Sequence, residues 1–185
     1  MNALLVYPAY PDTFWSFKHV LPFISKKAAF PPLGLLTVAA MLPPSWEKRL
    51  ADVNVAPLGE ADLAWADVVL VSAMLVQTPS ARDIIARAKA VRDHGRARQD
   101  YDAVMRPENG ATPPPLWELV NFKDYVSMSV QYSRGCPFDC EFCGIVAMNG
   151  RRPRVKSPQQ MLGELQGLYD AGWRDTVFIV DDNFF

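Results

Sequence analysis

The chain is poor in the residues that staple or charge a small protein. It has two histidines, His19 and His94, and three cysteines, Cys136, Cys140 and Cys143, all in one short stretch. Cysteines gathered in this way cannot form a disulfide framework. Neither charge sign is in excess, with 19 basic and 20 acidic residues and a net charge of −1. Nothing therefore points to nucleic acid or an acidic surface as partner. No apolar run approaches the roughly 18 residues needed to cross a bilayer. The start, Met1 to Pro8, lacks the basic opening and small-residue cleavage site of a signal peptide, so the expected compartment is the reducing cytoplasm. Half of the residues are hydrophobic and 21% are charged, ordinary values for a folded chain of one domain or two small ones.

Asn2 to Tyr7 is a short apolar run ended by Pro8 and reads as a buried parallel strand. The loop Ala9 to Phe30 carries Tyr10, Phe14, Trp15, Phe17, Phe23 and Phe30, and reads either as packing over the sheet or as a binding loop. Pro31-Pro32 opens a helix over Leu33 to Leu42, which Pro43-Pro44 stops. Lys48 to Asp52 is β-like, Ala61 to Ala66 a helical turn, and Asp67 to Ser72 a second apolar strand. Ser80 to Val91 follows as a helix with Ile84, Ile85 and Ala88 on one face. This alternation predicts an α/β fold with a doubly wound parallel sheet, whose ligands sit beyond the carboxyl ends of the strands. The candidate loops are Pro8 to Asp12 and Ser72 to Gln77.

Val91 to Tyr101 is polar, with no apolar run of strand length, and runs into the proline-bearing stretch Pro107 to Pro115. Trp117 to Tyr125 suggests a helical turn. Met128 to Arg134 alternates like a strand and delivers Gly135 and the cysteines at its carboxyl end, where active sites of β/α barrels lie. Arg151, Arg152, Arg154 and Lys156 form a basic cluster, either a solvated face or a source of one arginine that balances negative charge nearby. Ser157-Pro158-Gln159-Gln160 has the form of a capping box, Met161, Leu162, Leu165 and Leu168 are the expected buried stripe of the helix, and Gly172 ends it. Thr176 to Val180 is the last predicted strand, followed by Asp181-Asp182-Asn183.

The cysteines are spaced C-x3-C-x2-C, with Phe142 before the third. Thiolates select zinc, copper(I) or iron–sulfur clusters. A structural zinc site takes four protein ligands, and no fourth is evident here. A cubane of four irons held by three thiolates instead leaves one iron open to a small molecule.

Ser127 to Cys143, Gly150-Arg151-Arg152-Pro153-Arg154 and Val180 to Phe184 together resemble the radical S-adenosylmethionine (SAM) enzymes. The likeness is to the cobalamin-dependent branch with an N-terminal B12-binding domain, of the hopanoid C-2 methylase type. It implies a [4Fe–4S] cluster on Cys136, Cys140 and Cys143, SAM on the open iron and its cleavage to a 5′-deoxyadenosyl radical, and a reductant such as flavodoxin or ferredoxin. It implies methyl transfer from cobalamin to a small apolar substrate. Phe142 falls at the family's aromatic position beside the adenine. Asp181 and Asp182 fall where the family contacts the SAM amino group, in place of a Gly-Gly-Glu. Ser72 and Gln77 fall in the loop facing cobalamin. With no D-x-H-x-x-G, no histidine replaces a lower cobalt ligand.

The implied layout is an incomplete B12-binding Rossmann-like domain over 1–91, a linker over 92–125, and the opening units of a radical SAM partial barrel over 126–185. Relative to the family, on the order of 50 residues after Ala90, about two βα units, have no equivalent. The shortened sheet is expected to compromise cobalamin binding and to leave its third strand with an open edge. A radical needs a closed, water-poor site, so the chain is expected not to be a competent enzyme alone. Two other readings stay open, a non-catalytic truncated remnant and a small iron–sulfur or zinc module.

Overall fold

The computed structural model describes residues 1–13, 16–91 and 108–183. Phe14 and Trp15 of the aromatic loop, residues 92–107 of the expected linker, and Phe184 lie outside the described residues. The described residues form two compact units, one from 1–91 with 115–128 and one from 108–114 with 129–183.

In the first unit, β1 (Asn2–Tyr7) is followed by α1 (Leu33–Met41), β2 (Glu47–Asp52), α2 (Glu60–Trp65), β3 (Val68–Val71) and α3 (Thr78–Val91). The strands form one parallel sheet of order β2-β1-β3, the Rossmann-like arrangement that the alternation predicts. Successive side chains of a strand point to opposite faces. Leu4 and Val6 accordingly pack with Leu58, Leu63, Ala66 and Ile84, and Leu5 packs with Leu35 and Ala39. Both faces of β1 are thus covered, which is why its sequence is a continuous apolar run rather than an alternation. On α3 the buried residues are Ala81 and Ile84, with Ala88 packed against the same cluster, while Ile85 stays exposed. Successive residues of a helix point about 100° apart, and here Ile84 faces the sheet while Ile85 is turned toward solvent.

Residues 115–128, placed by the sequence in the linker and the start of the barrel, pack with this first unit. Leu116 N–H donates to Leu36 O (3.2 Å), Val126 N–H to Ala28 O (3.1 Å) and Ser127 N–H to Ala29 O (3.1 Å). Two 3-10 turns, Trp117–Leu119 and Phe122–Asp124, stand where a helical turn is expected. In the aromatic loop the buried anchors are Leu21 and Ala28, whereas Phe17, Phe23 and Phe30 are exposed, so packing over the sheet does not account for these aromatics.

The second unit takes up β4 (Met128–Val130) from Ser129 and continues with β5 (Ser133–Arg134), α4 (Ile145–Asn149), β6 (Arg154–Val155), α5 (Pro158–Asp170) and β7 (Val177–Ile179). β4 neighbours β7, and β5 pairs antiparallel with β6. The single strand expected over Met128 to Arg134 is therefore broken at Gln131-Tyr132. The cause is Asp181, whose carboxylate accepts from Tyr132 N–H (2.8 Å) and Ser133 N–H (2.9 Å) and takes both groups out of a sheet ladder.

The capping box of α5 forms as read: Gln160 N–H donates to Ser157 Oγ (3.2 Å) and Ser157 N–H to Gln160 Oε1 (2.9 Å). Gly172, at φ +101°, closes the helix, with Gly172 N–H donating to Tyr169 O and Trp173 N–H to Leu168 O, the Schellman pattern. The expected apolar stripe is not the buried face, however. Leu168 and Glu164 are buried, while Leu162 and Leu165 are exposed. A buried ion pair between Lys156 Nζ and Glu164 Oε1 (2.5 Å) sets the rotation of the helix. Among the described residues no helix is long and apolar enough to cross a membrane.

Candidate functional site

Gly135, directly after β5, has φ +100°, and a Cβ built on it would lie 2.5 Å from Arg152 O and 3.1 Å from Gly150 O. Only glycine fits this approach. It allows Cys136 N–H to donate to Gly150 O (3.1 Å), which joins the start of the thiol loop to its end. Cys143 N–H donates to Cys140 O (3.0 Å), a turn that leads through Gly144 into α4. Cys136 is half-buried and Cys140 and Cys143 are exposed. Asn183 Nδ2 lies 3.9 Å from Cys136 Sγ, within reach of a weak N–H···S bond. Phe142 is 93% exposed, so packing of the loop does not explain it, and its ring is open to a ligand.

Among the described residues no three His, Cys, Asp or Glu side chains gather around a single ion. A zinc site needs its donors within about 2.0–2.3 Å of one metal. A cubane places each thiolate on its own iron, so the three thiols have to converge on the larger body of four irons rather than on one ion. As a donor set, three thiols on one loop suit a cluster that leaves one iron open.

At the end of β7, Asp181 accepts from Tyr132 N–H, Ser133 N–H and Ser133 Oγ (2.7 Å), whose single proton is shared with Asn183 O (2.9 Å). Asp181 thus fastens the turn between β4 and β5. Asp182 is exposed and accepts from Asn149 Nδ2 (2.8 Å) at the end of α4.

The basic cluster divides. Arg151 pairs with Asp139 (2.8 Å) and Arg152 with Glu108 (3.2 Å), both at the surface, and Lys156 belongs to the buried pair. Arg154 is buried, donates to Asn149 O (2.8 Å), and stands opposite Arg134 in the β5–β6 ladder. Arg134 donates through Nε to Gln131 Oε1 (2.6 Å). Burial, and then the charge of Arg154, lower its affinity for a proton, and Asp182 opposes them.

In the first unit, Gln77 is fully buried and both ends of its amide are engaged: Nε2 donates to Pro8 O (2.5 Å) and Oε1 accepts from Met74 N–H (2.8 Å). It joins the two candidate loops and offers no free group to a ligand. Asn54 Nδ2 donates to Pro8 O (3.1 Å), Tyr10 N–H to Asn54 Oδ1 (2.8 Å), and the Tyr7 and Tyr10 hydroxyls share a bond of 2.5 Å. Ser72 is exposed, and beside it Met74, Leu75 and Val76 form an open apolar ledge beyond the carboxyl end of β3, Leu75 being 89% exposed. Asp52 is buried beneath this end of the sheet. Its desolvation pushes its pKa up, against the bonds it accepts from Asn54 and Tyr125.

Sequence reading did not single out Gln131, Ser133, Asn149, Asn54 or Arg134 as site residues. All but Arg134, whose side-chain partner Gln131 is three residues away, act through contacts distant in sequence, and only the neighbourhood of Arg134 to the cysteines gave a signal.

No family model matches the chain. Over its whole length the chain is 40% identical to an uncharacterized methyltransferase of Synechocystis sp., of which it covers 42%. Over 98% of its length it is 36% identical to the hopanoid C-2 methylase of Rhodopseudomonas palustris, covering 43% of that protein. Over 29% of its length it is 41% identical to the hopanoid C-3 methylase of Methylococcus capsulatus, 10% of that protein. The two long alignments each run over 225 residues against the chain's 185, so parts of both relatives have no counterpart here. The chain spans less than half the length of these relatives, and over essentially all of its own length it is similar to proteins named as methyltransferases and hopanoid methylases.

Proposed function

We propose that this chain carries the cluster- and SAM-binding part of a cobalamin-dependent radical SAM methylase that acts on a small apolar substrate. The observation that carries the reading is the thiol loop: three cysteines on one segment, closed by the bond from Cys136 N–H to Gly150 O. Cys136, Cys140 and Cys143 would hold a [4Fe–4S] cluster, which when bound supplies a low-potential electron and an iron open to SAM. Gly135 sets the turn that presents the thiols. Phe142 offers an exposed ring face for an adenine, and Asp182 a carboxylate for an ammonium group. Asp181 acts one step back, holding Ser133 and Tyr132 in place.

For cobalamin, Ser72 and the ledge of Met74, Leu75 and Val76 suit a broad macrocycle lying at the end of the sheet. Gln77 supports that ledge from below rather than touching a ligand. A flavodoxin- or ferredoxin-type protein would supply the electron. The similarity to named methylases supports the methyl-transfer part of the reading.

A second reading takes its support from the gaps inside the alignments, which run over 225 residues against the chain's 185: a remnant that loads a cluster and binds SAM without turning over. The test is anaerobic reconstitution with iron and sulfide, followed by electron paramagnetic resonance with and without SAM. The expected result is a reduced-cluster signal that SAM alters. One zinc per chain and no sulfide would sink the reading in favour of a zinc module, and a signal indifferent to SAM would remove the SAM site. Titration with hydroxocobalamin, read from the corrin spectrum, tests the first unit, and no spectral change there would remove cobalamin. Methyl transfer to an apolar acceptor separates the enzyme from the remnant.

A further inference from the structure

We infer that Arg134 holds an anionic group at the root of the thiol loop, with its guanidinium fork as the contact. The inference deepens the proposed function, because the anion is either the carboxylate of a bound ligand or the negative charge of a group seated on the thiolates. The contrast with its neighbours makes the case. Arg151, Arg152 and Lys156 each have a carboxylate within ion-pair distance. Among the described residues Arg134 has none, and its one bond to a side chain there runs from Nε to Gln131 Oε1. Gln131 is itself tied through Nε2 to Val180 O (3.5 Å), so the arginine is held from one side.

Arg134 is half-buried, and its two Nη groups have no partner among the described residues. A guanidinium fixed at Nε and open at both Nη atoms has the planar fork that matches a carboxylate.

Charge points the same way. Arg134 stands directly opposite Arg154, and like charges facing each other across a ladder oppose folding. Asp182, whose charge acts on Arg134, is exposed and already accepts from Asn149. The base of the loop is therefore a half-buried positive site one residue removed from Cys136, and an anion there offsets the opposition of the two arginines.

The test compares wild type with Arg134→Gln and Arg134→Lys in the full chain. In the first arm, SAM is titrated into the anaerobically reconstituted protein. If the anion is a ligand carboxylate, Arg134→Gln binds SAM about tenfold more weakly, the loss expected for one charged hydrogen-bonding contact, and Arg134→Lys falls between. In the second arm, the midpoint potential of the cluster is measured without SAM. If the anion is the cluster, the potential becomes more negative in Arg134→Gln, because the more negative reduced state has lost a nearby cation.

A third arm needs no cluster. Citrate, at constant ionic strength, is expected to raise the melting temperature of the unreconstituted wild type more than that of Arg134→Gln. Without citrate the variant should melt no lower than wild type, which also shows that it folds. Failure of the wild type to take up iron and sulfide would sink the proposed function and leave the citrate arm to decide the inference. Equal behaviour of wild type and Arg134→Gln in every arm that can be run would overturn the inference.

Discussion

At Gly135 the chain makes room for a carbonyl where any other residue would put a carbon. Gly135→Ala would have to move Arg152 O or Gly150 O while holding a positive φ. The substitution should cost about 2 kcal/mol or more, the upper part of the range for strained backbone. A urea-unfolding midpoint equal to wild type would show that the loop relaxes without loss. Asp52 poses a different residue-scale problem, a carboxyl buried beneath the sheet end. Burial raises its pKa in the fold, so the folded state binds the proton more tightly than the unfolded chain does. The stability this contributes is complete below the ordinary carboxylate pKa of about 4 and is lost as pH rises through the raised value. Burial, the largest cause for both, likewise raises Tyr7 and Tyr125, so their contribution is complete below about pH 10 and is lost above it. Asp52→Asn should therefore flatten the decline of melting temperature as pH rises above about 4 while keeping the bonds from Asn54. A variant whose profile still falls like wild type would put the titrating group elsewhere.

The elements show which parts of a fold an amino-acid sequence displays openly. β1, β3 and α1 are continuous apolar runs stopped by proline or polar residues, and the capping box of α5 is a local pattern, so all are legible. The break between β4 and β5 is not, because it depends on Asp181, nearly fifty residues downstream of Tyr132. Nor is the rotation of α5, since periodicity assigns leucines to the core and cannot foresee that Glu164 turns inward to meet Lys156. Glu164 Oε2 has no partner, so the pair is incompletely satisfied. Removing one partner leaves a buried charge, and Glu164→Leu should cost about 3–5 kcal/mol. The double variant Lys156→Met with Glu164→Leu should recover most of that loss, since apolar replacements of buried pairs are often neutral. Leu162→Gln, on the exposed side, should change stability by no more than about 0.5 kcal/mol. Denaturant unfolding of the four proteins decides this: a large cost at Leu162 with a small one at Glu164 would restore the leucine stripe as the buried face.

For the molecule as a whole, the thiol loop was readable because its chemistry is local, three soft donors within one segment. The facing of Arg134 and Arg154, the tie from Asn183 to Cys136 and the closed network around Gln77 were not, because each joins residues that only the fold brings together. The two units also separate the two cofactor proposals, with the thiols in the second and the apolar ledge in the first. A ligand stabilises the structure that holds it, by about 2.7 kcal/mol at one hundred times its dissociation constant. Loading iron and sulfide should therefore slow hydrogen exchange about a hundredfold in β5, β6 and α5, and leave β1 and β3 unchanged. Hydroxocobalamin should act the other way, slowing the amides of β1, β3 and residues 72–77. If loading the thiols protected both units equally, they would unfold as one cooperative body, and stability could not be assigned to either cofactor site by itself.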